Sequence, residues 1–215
     1  MEIGIMVKGQ ILARENARIT VFMEKVSQAN ILHLATHAYV DPQNPLGSSI
    51  MFHADSGQIE EMPLSRLLGM SIDAEMVVLS ACETGAGPWL ESVGTLSLGY
   101  AFRKAGVKST LTNLWRSDDE SSKHIMVDFY TFLNQGYPKD KALKLARIRF
   151  IEEHKNQAHP FFWAGLEING SNDALSFSKG PKGGRYVLWL VLIVALLAAF
   201  SLVKEGGESK MKLIP

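Results

Sequence analysis

The sequence predicts an α/β fold: a mostly parallel sheet flanked by helices, followed by one transmembrane helix at the carboxyl end. Three observations carry that prediction. Short apolar runs at Asn30–Leu34 and Met76–Ser80, and Ser109–Leu114 with its alternating polar Thr residues, read as strands. Helically spaced stretches separate and follow them, the alternation that builds a parallel sheet covered by helices. Finally, Tyr186–Val203 reads YVLWLVLIVALLAAFSLV, with no charge, Gly or Pro. As a helix it would rise about 27 Å, close to the roughly 30 Å hydrocarbon core of a bilayer.

The elements follow in order. Met1–Lys8 suits a short strand, and Ala13–Gln28 has helical spacing at Ile19, Phe22, Met23 and Val26. After the first apolar strand, Tyr39–Gly47 carries Asp, Asn, Gly and two Pro, and is a loop. Ser48–His53 and the turn Ala54–Gly57 resemble a hairpin arm. Pro63–Leu68 starts a short helix, with Pro tolerated in the first turn. The Met76–Ser80 strand leads into a glycine-rich loop at Gly85–Pro88. Ser92–Ala105 reads as a helix stopped by Gly106. After the third strand, Ser117 and Glu120 form a capping box opening a helix that ends near Gln135–Gly136. Asp140–Glu153 is another helix, and His159–Ile168 closes in a strand-like tail.

Domain boundaries follow from composition. Residues 1–172 form the globular domain and 173–185 a linker, rich in Gly, Ser and Lys from Ser176 onward. Residues 186–203 are the membrane span, with Tyr186 and Trp189 as interfacial aromatics, and 204–215 a short tail. The alternative for the span is a buried helix, but it is apolar on all sides. Lys179, Lys182 and Arg185 precede it and Lys204, Lys210 and Lys212 follow it, so charge gives no orientation.

Composition narrows the function. Basic and acidic residues balance at 22 each, a formal net charge of zero, so no basic surface for a nucleic-acid partner is expected. The single cysteine excludes an intrachain disulfide and makes a reducing compartment the simpler setting. No His, Cys or carboxylate pair has recognisable metal-ligand spacing.

The chemistry centres on two strand exits. Cys82 ends the run from Met76 and opens Ser80-Ala-Cys-Glu-Thr-Gly85; His37 ends Ile31-Leu-His-Leu-Ala-Thr-His37. Residues at the carboxyl ends of neighbouring parallel strands face the crevice where α/β sheets bind ligands. A thiol beside an imidazole can form the attacking thiolate; the alternative for a lone cysteine is a buried structural one. His33, inside the strand, reads as a packed, hydrogen-bonded histidine. The backbone N–H groups of Ala38 and Cys82 could form an oxyanion hole. Asp118 and Asp119 have two readings, helix capping or a carboxylate pocket for a basic side chain. By position alone, capping is the simpler of these.

Assembled, these residues resemble a CHAT domain, the caspase-like module often found after tetratricopeptide repeats in bacterial proteins. The matching stretches are Ile31–His37, Val77–Gly85, Ala101–Trp115, Asp118-Asp-Glu120, Ala142–Ala146 and His159-Pro-Phe-Phe-Trp-Ala-Gly165. The resemblance implies a caspase-like fold and kinship with caspases, separase and gingipains. It implies a cysteine endopeptidase with His37 as base and Cys82 as nucleophile, acting through a thioacyl-enzyme without metal or organic cofactor. It further implies that Asp119, and less directly Asp118, contribute to a pocket for a basic residue of a protein or peptide substrate. The implied partners are that substrate, a tetratricopeptide-repeat region or protein, and the membrane, with the domain on the cytoplasmic side.

Three departures stand out. Ala38 and Glu83 occupy positions where the family usually has Gly and more often Asp. A full CHAT domain also has many more residues before its histidine, so the chain reads as the carboxyl-terminal part of a longer protein. The alternative function is therefore a catalytically inactive interaction module, or a fragment that needs a partner.

Overall fold

The computed structural model of the chain describes residues 17–41, 43–54, 56, 58–80, 89–90, 94–116 and 118–175. Two units divide the chain, Met1–Leu175 and Ser176–Pro215, and the described residues all belong to the first. The expected strand at Met1–Lys8, the glycine-rich loop and the span 186–203 lie outside the described residues. Among the described residues no helix is long and apolar enough to cross a membrane.

The strands are β1 (Ile31–Leu34), β2 (Ala38–Tyr39), β3 (Ser49–His53), β4 (Ile59–Pro63), β5 (Met76–Leu79), β6 (Trp89–Leu90), β7 (Gly94–Thr95), β8 (Ser109–Asn113) and β9 (Leu166–Gly170). The helices are α1 (Ile19–Lys25), α2 (Leu64–Leu68), α3 (Leu98–Lys104), α4 (Asp119–Asn134) and α5 (Lys139–Glu153). The central sheet has the order β1-β5-β8-β9. Its first three strands are parallel, and β9 joins antiparallel to β8. The expected α/β architecture, a parallel sheet flanked by helices, is what the described residues form.

Strand β5 shows why the sheet needs cover on both sides. Met76, Val77, Val78 and Leu79 are all buried, and successive side chains of a strand point to opposite faces. Val77 and Leu79 join a core with Ile19 and Phe22 of α1, Leu64 and Leu67 of α2, and Leu98, Ala101 and Phe102 of α3. Met76 and Val78 join a second core with Ile125, Phe129, Tyr130 and Leu133 of α4 and Ala142, Ala146 and Phe150 of α5. A strand buried on both faces is continuously apolar rather than alternating, which is the pattern of Met76–Leu79. A second sheet, β2-β3-β4, is an antiparallel meander whose Ile50, Phe52 and Met62 close the first core.

Several boundaries differ from expectation: the helix expected from Ala13 starts at Ile19, after extended Arg18 bridges His53, and Tyr39 pairs in β2 rather than opening the loop. The helix expected over Ser92–Ala105 begins only at Leu98, and Trp89–Leu90 pairs antiparallel with Gly94–Thr95 instead. Gly94 and β-branched Thr95 are weak helix formers, whereas Ser97 is a good cap, its Oγ accepting the Tyr100 N–H at 3.2 Å. The cap of α4 is Asp118 rather than Ser117, because the Asp118 carboxylate accepts from both the N–H and the hydroxyl of Ser121, each at 2.8 Å.

The last strand ends at a position only glycine suits. Gly170 has φ +107°, and a Cβ there would fall on the Arg103 guanidinium and the Lys108 carbonyl. Those two groups are themselves hydrogen-bonded, Arg103 donating to Lys108 O, so neither can step aside freely. Gly170→Ala is expected to cost about 2 kcal/mol or more, from positive φ and overpacking together. The urea midpoint should fall with an unchanged slope.

Candidate active site

Strands β1 and β5 pair in register, Ile31 with Met76 through Leu34 with Leu79. The ladder continues one step beyond, Ser80 N–H donating to Leu34 O at 3.1 Å. The ends of β1 and β5 therefore lie side by side. Three residues past Leu34 is His37, and three past Leu79 is Cys82. Strand β8 flanks β5 on its other side, and Asp118 and Asp119 follow the end of β8. Cys82, its backbone N–H and Glu83 lie outside the described residues.

His37 is exposed and its backbone is tied to β3. Its carbonyl accepts from Met51 N–H at 2.9 Å, and the Thr36 hydroxyl donates to Met51 O at 2.6 Å. Ala38 pairs with Ile50 and Tyr39 with Ser49. Hydrogen-bonded and non-hydrogen-bonded pairs alternate along an antiparallel ladder. The bond between Met51 and His37 makes Ala38–Ile50 a non-bonded pair, so the Ala38 N–H is directed away from β3. Among the described residues β2 is the outer strand of its sheet, so that N–H lies on the sheet's outer side. Strand pairing gives Ala38 an extended backbone, which any residue adopts, so the methyl group fits locally.

Asp118 and Asp119 part company. The Asp118 carboxylate is engaged by Ser121, and those hydrogen bonds hold its pKa below the usual carboxylate range. Asp119 is the first residue of α4 and is exposed. Nearby, Trp115 Nε1 donates to Phe161 O at 3.1 Å. Gly165 sits where a Cβ would come within 3.0 Å of the Trp115 indole, so the His159–Gly165 segment packs closely against the β8 exit. Among the described residues no three His, Cys, Asp or Glu side chains cluster as cation ligands.

His33 is packed and hydrogen-bonded as expected, but its partners were not legible in the sequence. Its Nδ1 lies 2.9 Å from the Tyr130 hydroxyl of α4, and its Nε2 lies 2.7 Å from Ser80 Oγ. A serine hydroxyl at 2.7 Å from an imidazole looks like a nucleophile and its base. Burial argues otherwise: it lowers the His33 pKa to about 4, too weak a base near neutral pH. Both ring nitrogens are also occupied. The only prior signal was spacing: His33 pairs with Val78, which puts Ser80 on the same face of the sheet.

Two stability effects follow. In the folded protein the His33 pKa is about 4 against 6.5 for the free side chain, so the unfolded chain binds more protons between these values. The neutral ring's contribution is fully present above pH 6.5 and is lost as pH falls through 4, by up to about 3 kcal/mol. Urea titrations at pH 7, 5.5 and 4 should show this slope, and His33→Gln should flatten it. Asp118→Ala should cost about 1 kcal/mol through loss of the cap, measured by the same unfolding midpoint.

No curated protein sequence matches the chain. The CHAT domain family matches over residues 2–171, most of the 215-residue sequence, and the chain accordingly belongs to the CHAT domain family, a caspase-like family.

Proposed function

We propose that this protein is a cysteine endopeptidase of the caspase–separase type, anchored by the helix at 186–203 with its CHAT domain in the cytoplasm. One observation carries the reading. His37, Cys82 and Asp119 follow the carboxyl ends of three adjacent parallel strands, β1, β5 and β8. That edge is where α/β sheets hold their ligands.

The chemistry runs as acyl transfer. His37 takes the Cys82 proton, and the thiolate attacks the scissile carbonyl carbon. The N–H groups of Ala38 and Cys82 stabilise the resulting oxyanion. Collapse breaks the C–N bond, and His37 returns its proton to the leaving amine. A water deprotonated by His37 then hydrolyses the thioester. No metal or organic cofactor enters. Asp119, exposed at the start of α4, draws a basic side chain into the pocket, and Asp118 adds its charge from the cap. The substrate is a protein or peptide cleaved after Arg or Lys.

A second reading is an inactive CHAT-derived module that binds a tetratricopeptide-repeat region or protein. The favouring observation is that β1 is the outermost strand of the central sheet among the described residues. An edge strand offers a backbone template for another chain.

The test is hydrolysis of an Arg- or Lys-terminated fluorogenic library by the detergent-solubilised chain. Activity is expected for the native chain and a loss of at least about a thousandfold in Cys82→Ala and His37→Ala. Asp119→Asn should cut kcat/KM for basic substrates about tenfold or more, the scale of one lost charge-assisted contact, with little change in stability. A folded sample that neither cleaves peptides nor labels at Cys82 with a thiol-reactive peptide probe favours the module.

A further inference from the structure

We propose that Tyr130, His33 and Ser80 form a positioning relay that fixes the end of β5, two residues before Cys82 in sequence, against the end of β1, three residues before His37. The proposal rests on the peptidase reading for its catalytic consequence, but not for its geometry.

The geometry is a chain of two side-chain hydrogen bonds spanning three elements: Tyr130 on α4, His33 on β1 and Ser80 at the end of β5. Tyr130 is 1% exposed, and burial pushes its pKa up, so the phenol keeps its proton. Among the described residues its hydroxyl has no other hydrogen-bond partner than His33 Nδ1. A buried O–H without an acceptor is costly, so Tyr130 donates to Nδ1. A neutral imidazole then carries its proton on Nε2, and Nε2–H donates to Ser80 Oγ. The rings of His33 and Tyr130 stack with centroids 5.8 Å apart, 28° between planes, which restricts the imidazole further.

The relay acts where the sheet ladder stops. Ser80 is tied to β1 twice, through its N–H to Leu34 O and through its Oγ to His33 Nε2. Ser80 is two residues before Cys82, and Leu34 three before His37. Small errors at such exits are amplified in catalysis, where displacement of a reacting group by about 1 Å can cost a hundredfold. Tyr130 extends the tie to α4, whose first turn carries Asp119. One polar chain thus links the elements leading to base, nucleophile and specificity carboxylate. None of its members touches the substrate in this scheme; each acts through the strand ends.

The experiment uses the full chain and the variants Tyr130→Phe, Ser80→Ala and Ser80→Thr. The first keeps the ring and removes only the hydroxyl; the last restores the hydroxyl that Ser80→Ala removes. Two readouts are taken: amide hydrogen exchange at Ser80, and the pH profile of iodoacetamide alkylation of Cys82, the single cysteine. In Tyr130→Phe and Ser80→Ala, exchange at Ser80 should speed up about two- to tenfold, as expected for one lost hydrogen bond. The α5 and β9 amides should not change. The alkylation profile should shift, and Ser80→Thr should return both readouts toward the native values. Native exchange and alkylation in both hydroxyl-deleting variants, with unfolding midpoints confirming that they are folded, would overturn the relay. Failure of the peptidase reading looks different: no peptide hydrolysis by the native chain, and a native alkylation profile that His37→Ala leaves unmoved. In that case Ser80 exchange alone still decides the relay, for or against.

Discussion

The in-register pairing of β1 with β5 is the constraint on which the candidate site depends. Register in a parallel pair is set by where the backbone hydrogen bonds fall, and slipping one residue would turn every side chain to the opposite face. Here a slip would take Val77 and Leu79 out of one core and Met76 and Val78 out of the other. Packing on both sides therefore holds the strand ends level, with Leu34 opposite Leu79. The ends of β1 and β5 therefore stand on a common line, fixed by the core beneath them.

Beyond that line, separate devices steer each segment. The His37 segment is caught by the β2-β3-β4 meander, with Met51 serving both His37 and Thr36. The end of β5 is held by the bonds of Ser80 to β1. The exit of β8 is packed by Trp115 against Phe161 and Gly165 and then capped by Asp118. These devices are polar and local, whereas the strands beneath are held by apolar burial. Polar contacts at the rim give direction, and the core supplies most of the free energy.

The same division explains His33. An imidazole in the strand next to a continuously buried one would be a liability if it had to carry charge. Kept neutral, with an oxygen on each nitrogen, it joins a helix and two strands at one point. Ser80 and Tyr130 are far apart in sequence, at separations of 47 and 97 residues from His33, and nothing in a periodicity would pair them.

Much of the fold was written in the chain. Continuous apolarity at Met76–Leu79 marks a strand buried on both faces, and the helical spacing after Trp115 marks α4. Gly106 and Gly136, both at positive φ, mark where helices stop. Spacing also put His37 and Cys82 just past two strands, and the ordered motifs pointed to the family. What the sequence could not decide was local competition and distant contact. Helix α3 starts after the Ser97 cap and α4 after the Asp118 cap, because capping depends on which side chain reaches a free N–H. The Ala38 N–H acquired its outward direction only from the alternation of the β2–β3 ladder. Periodicity and composition are properties of neighbours along the chain, so they determine elements and their order. Register, ladder phase and the partners of a half-buried imidazole depend on residues brought together from far apart, and only the packed tertiary structure decides them.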